Sequence, residues 1–490
     1  MSQPLRVLIA TGELYPLVKT GGLADAVAGL AAALAELSCE VRIAVPAYSG
    51  VLERVSSPRR LGTVAVRGAS FELHEGRIAG LPPLWLFSCP PLFERAGGPY
   101  QDEQGLPFAD NAHRFGSFCE ALARASSGLP GEDFQPQLVH ANDWQTALTL
   151  PWLQTLAPAA VRVYTIHNLA YQGVYPASEA DRLGLPMAWR HPGGVEFHGQ
   201  LSFMQAGIIH AQRVTTVSPT YAREILTPAF GHGLDGLLRA RAESLSGIVN
   251  GIDETIWNPA TDPHLPQRYD ARAVAAGKRA NRRALQQELG LTADDAPLLI
   301  GSVTRLAYQK GMDLLVAAMP DLMQLPVQIA LLGSGDRSLA DELTTLATQW
   351  RGRFSFRNVH DERLAHRIEA GADCFLMPSR YEPCGLNQIY SQRYGTVPIV
   401  RRTGGLADTV IDADTTTLMA GIATGIHFLD ADVGGLLYGV RRALELRATA
   451  ATWLKLQRTG MAVDFSWRAS AAQYLSVYRL AMESFIDSAR

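Results

Sequence analysis

Cysteine is sparse in this chain: five in 490 residues (Cys39, Cys89, Cys119, Cys374 and Cys384), odd in number, scattered and never in Cys-x-x-Cys spacing. That excludes a disulfide framework and a cysteine-held zinc site, and it suits a reducing compartment. An excess of one charge is missing too, since 44 Lys and Arg face 47 Asp and Glu for a net charge of −3. Nucleic-acid binding or a membrane-surface role therefore lacks its electrostatic footprint. The most apolar helical run, residues 24–37, contains Asp25 and Glu36 and is too short to span a bilayer. There is no G-x-x-x-x-G-K-[ST] phosphate loop, no G-x-G-x-x-G fingerprint after the first strand and no G-x-S-x-G elbow. P-loop hydrolysis, hydride transfer on a standard dinucleotide fold and serine-nucleophile chemistry fall with them. Low-complexity tracts are absent. The N-terminus runs from Met-Ser-Gln-Pro into an apolar strand with no charged leader, so a soluble, cytoplasmic protein is expected.

What is present begins with a phrase used twice. Residues 20–27 read Thr-Gly-Gly-Leu-Ala-Asp-Ala-Val and residues 403–410 read Thr-Gly-Gly-Leu-Ala-Asp-Thr-Val, seven of eight letters agreeing. Each copy follows a strand-like stretch and precedes an apolar helix pattern. A glycine pair there leaves backbone N–H groups uncovered, and the new helix turns its positive end toward whatever lies in front. One such cap in each half suggests two α/β domains facing each other across a cleft that takes an anionic ligand.

The rest of the pattern agrees with two domains, as does a length too great for one ordinary core. Short apolar runs at 6–10, 41–45, 138–141, 161–166 and 213–217 read as buried parallel strands, with helices at 23–37 and 111–126. The stretch 49–100, rich in Gly, Pro and β-formers, reads as an insertion or smaller strands. A Pro-, Asp- and Thr-rich stretch at 247–266 reads as an inter-domain crossing. After a helical 271–289, strands are expected at 298–303, 328–332, 353–357, 374–377 and 397–400, a second doubly wound α/β domain. The tail, 466–489, is amphipathic.

Polar clusters fall at strand C-termini, where open α/β sheets bind ligands: His140-Ala-Asn-Asp143-Trp, His167-Asn168 and Ser218. Three further clusters carry charge. Lys19 precedes the first glycine cap. Arg305 and Lys310 stand five apart in the loop after a strand. Ser379-Arg-Tyr-Glu382-Pro-Cys384-Gly385-Leu386 puts a carboxylate after another. Arg305 and Lys310 can clamp two phosphate groups while glycine amides take the remaining oxygens. Such matching lowers the energy of a departing diphosphate, on which negative charge grows. Each feature also has a structural alternative: a Gly-Gly turn that only turns, loop cations that are solvated, Glu382 as a helix cap, His167 as a bonded core histidine. Asp412-Ala-Asp414 and Asp430-Ala-Asp432 fit a short metal-binding pattern, but neither follows a strand beside the cations. A diphosphate neutralised by Arg and Lys requires no divalent ion, so no metal and no other cofactor is expected.

Lys19-Thr-Gly-Gly-Leu-Ala-Asp25, His140-Ala-Asn-Asp143-Trp, Thr165-Ile-His167-Asn168-Leu-Ala-Tyr-Gln-Gly, Val249-Asn250-Gly-Ile-Asp, Arg305-x4-Lys310-Gly and Glu382-Pro-Cys-Gly-Leu together resemble the glycogen and starch synthases of glycosyltransferase family 5. The resemblance runs in order and spacing from about residue 6 to the C-terminal helix. It implies a GT-B fold of two Rossmann-like domains, 1–246 and 247–466, with a last helix, 467–490, packing back on the first. It also implies transfer of glucose from ADP-glucose to the non-reducing 4-OH of an α-1,4-glucan, with the anomeric configuration retained. By motif position, Arg305 and Lys310 would hold the diphosphate with amides of Thr403, Gly404 and Gly405, and Gly21 and Gly22 would approach it from the other domain. Lys19 would lie near the donor phosphates and Asp25 near the acceptor end. Glu382, Cys384, Gly385 and Leu386 would line the glucose and phosphate contacts. His167, Asn168 and Asn250 would complete the sugar pocket, with Asp143 facing the reacting glucose.

A neutralised diphosphate needs no strong protein acid and can itself take the acceptor proton. A front-face, ion-pair-like substitution is therefore expected, with Glu382 positioning groups rather than attacking carbon, unlike the two-carboxylate glycosidases. Two positions depart from wider relatives. Tyr390 stands where related sugar transferases carry a second glutamate, as is usual in the synthases. His360 stands where many have a tyrosine that stacks on adenine. Two other readings are weighed: a retaining GT-B transferase with a different donor or acceptor, and a non-catalytic glycan-binding protein on the same fold. The intact Lys-x-Gly-Gly-Leu block speaks against the first, and the presence of Arg305, Lys310, Glu382 and His167 against the second.

Overall fold

Apolar runs bounded by turn residues become strands buried on both faces of a parallel sheet. The computed structural model describes residues 4–489, and the chain divides into two units, Met1–Gly251 with Trp467–Arg490, and Ile252–Ser466. In the first, β1 (Arg6–Ala10) leads through α1 (Gly22–Glu36) to β2 (Glu40–Pro46). There follow β3 (Ser56–Val66), β4 (Ala69–Arg77), β5 (Leu84–Ser88), α2 (Asn111–Ser126), β6 (Leu138–Asn142), β7 (Val161–Ile166), β8 (Arg213–Thr216) and β9 (Leu245–Gly247). Among the described residues these form a nine-stranded sheet in the order β9-β8-β7-β6-β1-β2-β5-β4-β3. Of the two readings of the stretch 49–100, an insertion or smaller strands, the structure shows the strands. β5 pairs parallel with β2 as a full member of the sheet, and the β3–β4 hairpin extends the edge antiparallel.

The second unit runs α3 (Val274–Leu289), β10 (Leu298–Leu306), α4 (Met312–Leu322), β11 (Val327–Gly335), β12 (Phe354–Arg357), α5 (Glu362–Gly371), β13 (Cys374–Met377), α6 (Asn387–Arg393), β14 (Val397–Arg401), α7 (Gly404–Thr409) and β15 (Ile426–Phe428). Its sheet has the order β12-β11-β10-β13-β14-β15, parallel throughout. Period-two alternation sorts its strands between two cores: Leu298, Ile300, Ile329, Leu331, Cys374 and Leu376 on one face, Leu299, Ala330, Leu332, Phe375 and Met377 on the other. In both units the strand order reverses beside the first strand, between β1 and β6 and between β10 and β13. Loops leaving the strand C-termini diverge at such a point and leave a crevice, the place where doubly wound sheets take their ligands.

The last helix, α8 (Trp467–Ala489), belongs to the first unit, where Trp467, Ala471, Tyr474 and Tyr478 join its core. Gly29 makes room for it, since a Cβ there would lie 2.0 Å from the Trp467 indole nitrogen. Three of the four Asp-x-Asp carboxylates have structural partners. Asp412 bonds Arg442 at 2.8 Å, while Asp414 and Asp432 cap helices at the Thr417 and Gly435 amides. All five cysteines are buried and unbridged. No helix among the described residues is long and apolar enough to cross a membrane.

Candidate active site

The loop leaving β1 is organised by a residue that no sequence motif singled out. Glu13 is buried, and its carboxylate accepts from the Thr20 amide at 2.6 Å, the Thr20 hydroxyl at 2.5 Å, the Gly21 amide at 3.2 Å and the Tyr100 hydroxyl at 2.8 Å. The first glycine cap does hold an anion, but at Thr20 and Gly21 that anion is the protein's own. Gly21 caps α1, with Gly22 its first residue. Lys19 and Asp25, assigned to opposite ends of the substrates, meet in one ion pair at 3.1 Å.

After β6, Asp143 is held at φ +56° and ψ −177°, a conformation that glycine tolerates and aspartate does not favour. Its amide donates to the Thr165 carbonyl at 2.9 Å, and its Oδ1 accepts from the His167 amide at 2.7 Å and the Asn168 amide at 3.4 Å. Burial pushes this carboxyl up to about 7, against the pull of those two amides and with help from the Glu13 charge. The Asn142 side-chain nitrogen donates to the Ala10 and His140 carbonyls, so its oxygen faces His167 Nε2 at 2.9 Å. Nε2 therefore carries the imidazole proton. Burial drives the His167 pKa down to about 3, which keeps the ring neutral. Asn168 Oδ1 accepts from the Ala170 amide at 3.1 Å, and buried Asn250 has an Oδ1 with no hydrogen-bond partner among the described residues.

The second unit gathers its charged groups at the β10–β13 reversal. Gly311 takes φ +67°, and a Cβ there would sit 2.1 Å from the Pro378 carbonyl, so only glycine lets the loop after β10 press onto the end of β13. That approach brings Lys310 Nζ to 2.6 Å from Glu382 Oε2, an oxygen that also accepts from the Ser379 hydroxyl at 3.0 Å. Glu382 is 4% exposed. Arg305 is exposed, and with Lys310, Ser379 and Asn387 it lines a cavity of about 150 Å³. Arg380, the nearby alternative cation, is taken by a two-pronged bond to Asp313 at 2.7 and 2.6 Å.

The second glycine cap seats itself on the Glu382 loop. The Gly405 amide donates to the Glu382 carbonyl at 2.9 Å, and a Cβ on Gly405 would lie 2.1 Å from the Cys384 carbonyl. Thr403 caps α7, Gly404 takes φ +44°, Gly385 takes φ +74°, Cys384 is buried and Leu386 caps α6. Arg305, Lys310, Glu382 and the 403–405 turn are thus one constellation. His360 is exposed in the loop after edge strand β12, with β11 lying between β12 and β10. Glu13 and Asn142 were findable by the strand-end rule that singled out Asp143. Tyr100 carried no local signal.

The starch synthase catalytic domain family matches residues 6–240, and the glycosyl transferases group 1 family matches residues 281–455. The glycogen synthase of Nitrosomonas europaea is 46% identical over 488 residues, covering 98% of each chain. That of Aromatoleum aromaticum is 48% identical over 477 residues, covering 97% of this chain and 96% of its own. The chain belongs to the glycogen synthase family. Among solved structures it is similar to the catalytic domain of starch synthase IV from Arabidopsis thaliana, bound to ADP and acarbose, with a TM-score of 0.88 and 34% identity over 99% of this chain and 100% of that one. A sucrose-phosphate synthase from Thermosynechococcus elongatus aligns with a TM-score of 0.59 at 19% identity over 98% and 100% of the two chains, a likeness of fold. As a glycogen synthase family member, the chain is a glycosyltransferase of the α/β GT-B class.

Proposed function

We propose that this family member moves glucose from ADP-glucose to the non-reducing 4-OH of an α-1,4-glucan, with retention, in the cytoplasm. The observation that carries the reading is the Lys310–Glu382 pair at 2.6 Å beside a cavity that Arg305 also lines, at the point where the second sheet reverses. Two cations at such a crevice suit a nucleotide diphosphate better than a neutral sugar. As the glycosidic bond lengthens, charge accumulates on the diphosphate, and Lys310 and Arg305 stabilise it more than they stabilise the bound donor. Glu382 shares one oxygen between Lys310 and Ser379, an arrangement that aims the ammonium and supports a positioning role over nucleophilic attack. In the first unit, neutral His167 and the buried Asp143 are the groups assigned to the glucosyl side. The cations supply the positive charge themselves, so the reading needs no divalent ion.

Purified protein is incubated with glycogen and either ADP-glucose or UDP-glucose, and the released nucleotide is measured. ADP release is expected to dominate and to persist in EDTA. Lys310→Ala and Arg305→Ala should each lower kcat/KM by about 100-fold or more with the fold intact by circular dichroism. Wild-type kinetics in both variants would remove the diphosphate reading, and a UDP-glucose preference would remove the assigned donor.

A further inference from the structure

Eight residues beyond Glu382 stands Tyr390. Its buried ring lies flat on the indole of Trp257, with centroids 3.7 Å apart and planes 8° from parallel. The opposite indole face carries His366 at 3.9 Å and 7°. Asp262 braces the assembly from the side: its Oδ2 accepts from the Tyr394 hydroxyl at 2.6 Å and bonds His366 Nδ1 at 2.7 Å. The Tyr269 hydroxyl donates to the Tyr394 carbonyl at 2.8 Å. Trp257, Asp262 and Tyr269 lie in the stretch that opens the second unit. Tyr390 lies on α6, and Tyr394 caps it.

We infer that Trp257 is a positioning residue for Glu382, an inference that rests on the diphosphate role proposed for Lys310 and Glu382. A seven-residue helix such as α6 does not hold its place by propensity, so tertiary anchors decide where it lies. On one side the anchors are glutamine amides. Gln388 donates to the Cys384 carbonyl at 3.1 Å and the Gly385 carbonyl at 3.0 Å, and Gln392 donates to the Thr409 carbonyl at 3.0 Å. On the other side is the three-ring stack. If Tyr390 moves off the indole, Gln388 moves with it, and so does the Cys384–Gly385 turn that follows Glu382. The Lys310–Glu382 bond then loses its geometry. An indole gripped on both faces resists displacement either way, since sliding or tilting opens one of the two contacts. A glutamate at 390 would set a carboxylate against an apolar face, so the tyrosine at this position serves the stack.

The test compares W257F, W257L and Y390L in the full chain, by steady-state kinetics with ADP-glucose and glycogen and by thermal unfolding. W257L is expected to lower kcat by about tenfold or more while KM for the donor changes less than about threefold, and W257F, which keeps a ring in the stack, to return kcat to within about threefold of wild type. Y390L should match W257L, and the double variant should lose no more than the worse single, because both act through one stack. Wild-type kcat in W257L together with a lowered melting temperature would reduce the stack to packing and overturn the inference. Should W257L fail to fold, Y390L carries the same expectation and the same refutation. Lys310→Ala separates the two levels: an inactive K310A beside a fully active W257L removes this inference alone, whereas an active K310A removes the reading beneath it.

Discussion

At Asp143 two unfavourable conditions meet on one residue. A positive φ with extended ψ costs a non-glycine residue on the order of 1–3 kcal/mol, and burial without a cation opposes ionisation. Such costs concentrate where geometry serves chemistry, and here they bring the carboxylate onto the His167 and Asn168 amides. The pH consequence has a definite sign. Between the ordinary carboxyl value of about 4 and the folded value of about 7, the folded state keeps a proton that the unfolded chain has released, so stability falls as pH rises through that window. Asp143→Asn carries no such penalty. Its melting temperature should exceed that of wild type at about pH 8, with the gap closing below about pH 4, while turnover is lost. A gap independent of pH would show that Asp143 does not titrate in this range.

Among elements, the repeated glycine phrase is the instructive case, because the same letters build two different caps. In the first copy α1 starts at Gly22, is capped by Gly21 at φ −157° and continues for fifteen residues. In the second, α7 starts one place earlier in the phrase, at Gly404 with φ +44°, and ends after six. The residues downstream of each cap set the lengths: alanines and leucines sustain α1, whereas Val410-Ile-Asp, which follows α7, is poor in helix formers. The second cap is also the tighter. Gly405→Ala would drive a methyl into the Cys384 carbonyl, and relief requires the Glu382 loop to shift. Overpacking of this kind costs about 1–3 kcal/mol, and kcat should fall by about tenfold or more. Gly21→Ala meets nothing within 4 Å and carries only the smaller cost of alanine at a helix N-cap, so its melting temperature should stay above that of Gly405→Ala. Equal melting curves and equal kcat for the two variants would contradict this account.

For the whole molecule, the chain leaves the first unit at Gly251 and returns to it at Trp467. The first unit is therefore incomplete without its last helix. Trp467, Tyr474 and Tyr478 are core residues, and the Tyr478 hydroxyl bonds His140 Nδ1 at 2.9 Å, on the strand that leads to Asp143. A chain ended at Ser466 would expose that apolar surface and leave buried His140 without one of its two partners. It should aggregate or lose the first unit's unfolding transition in calorimetry, whereas residues 252–466 expressed alone should fold. A truncated chain that melts like the full one would refute the dependence.

Sequence by itself determined both β/α alternations, the polar clusters at strand ends, the two glycine caps and the family, because periodicity, turn residues and motif spacing are local and legible in letters. It left open whether 49–100 is an insertion or smaller strands, since Leu84–Ser88 is framed by the same Gly and Pro as the hairpin before it. Tertiary structure alone decided that Glu13 occupies the first cap, that Lys19 pairs with Asp25, that Lys310 aims at Glu382 from 72 residues away, and that Tyr390 stacks on Trp257. The reason is physical. A strand or a cap follows from neighbours along the chain, whereas a charge's partner and its loss of water depend on which distant segments the fold brings together.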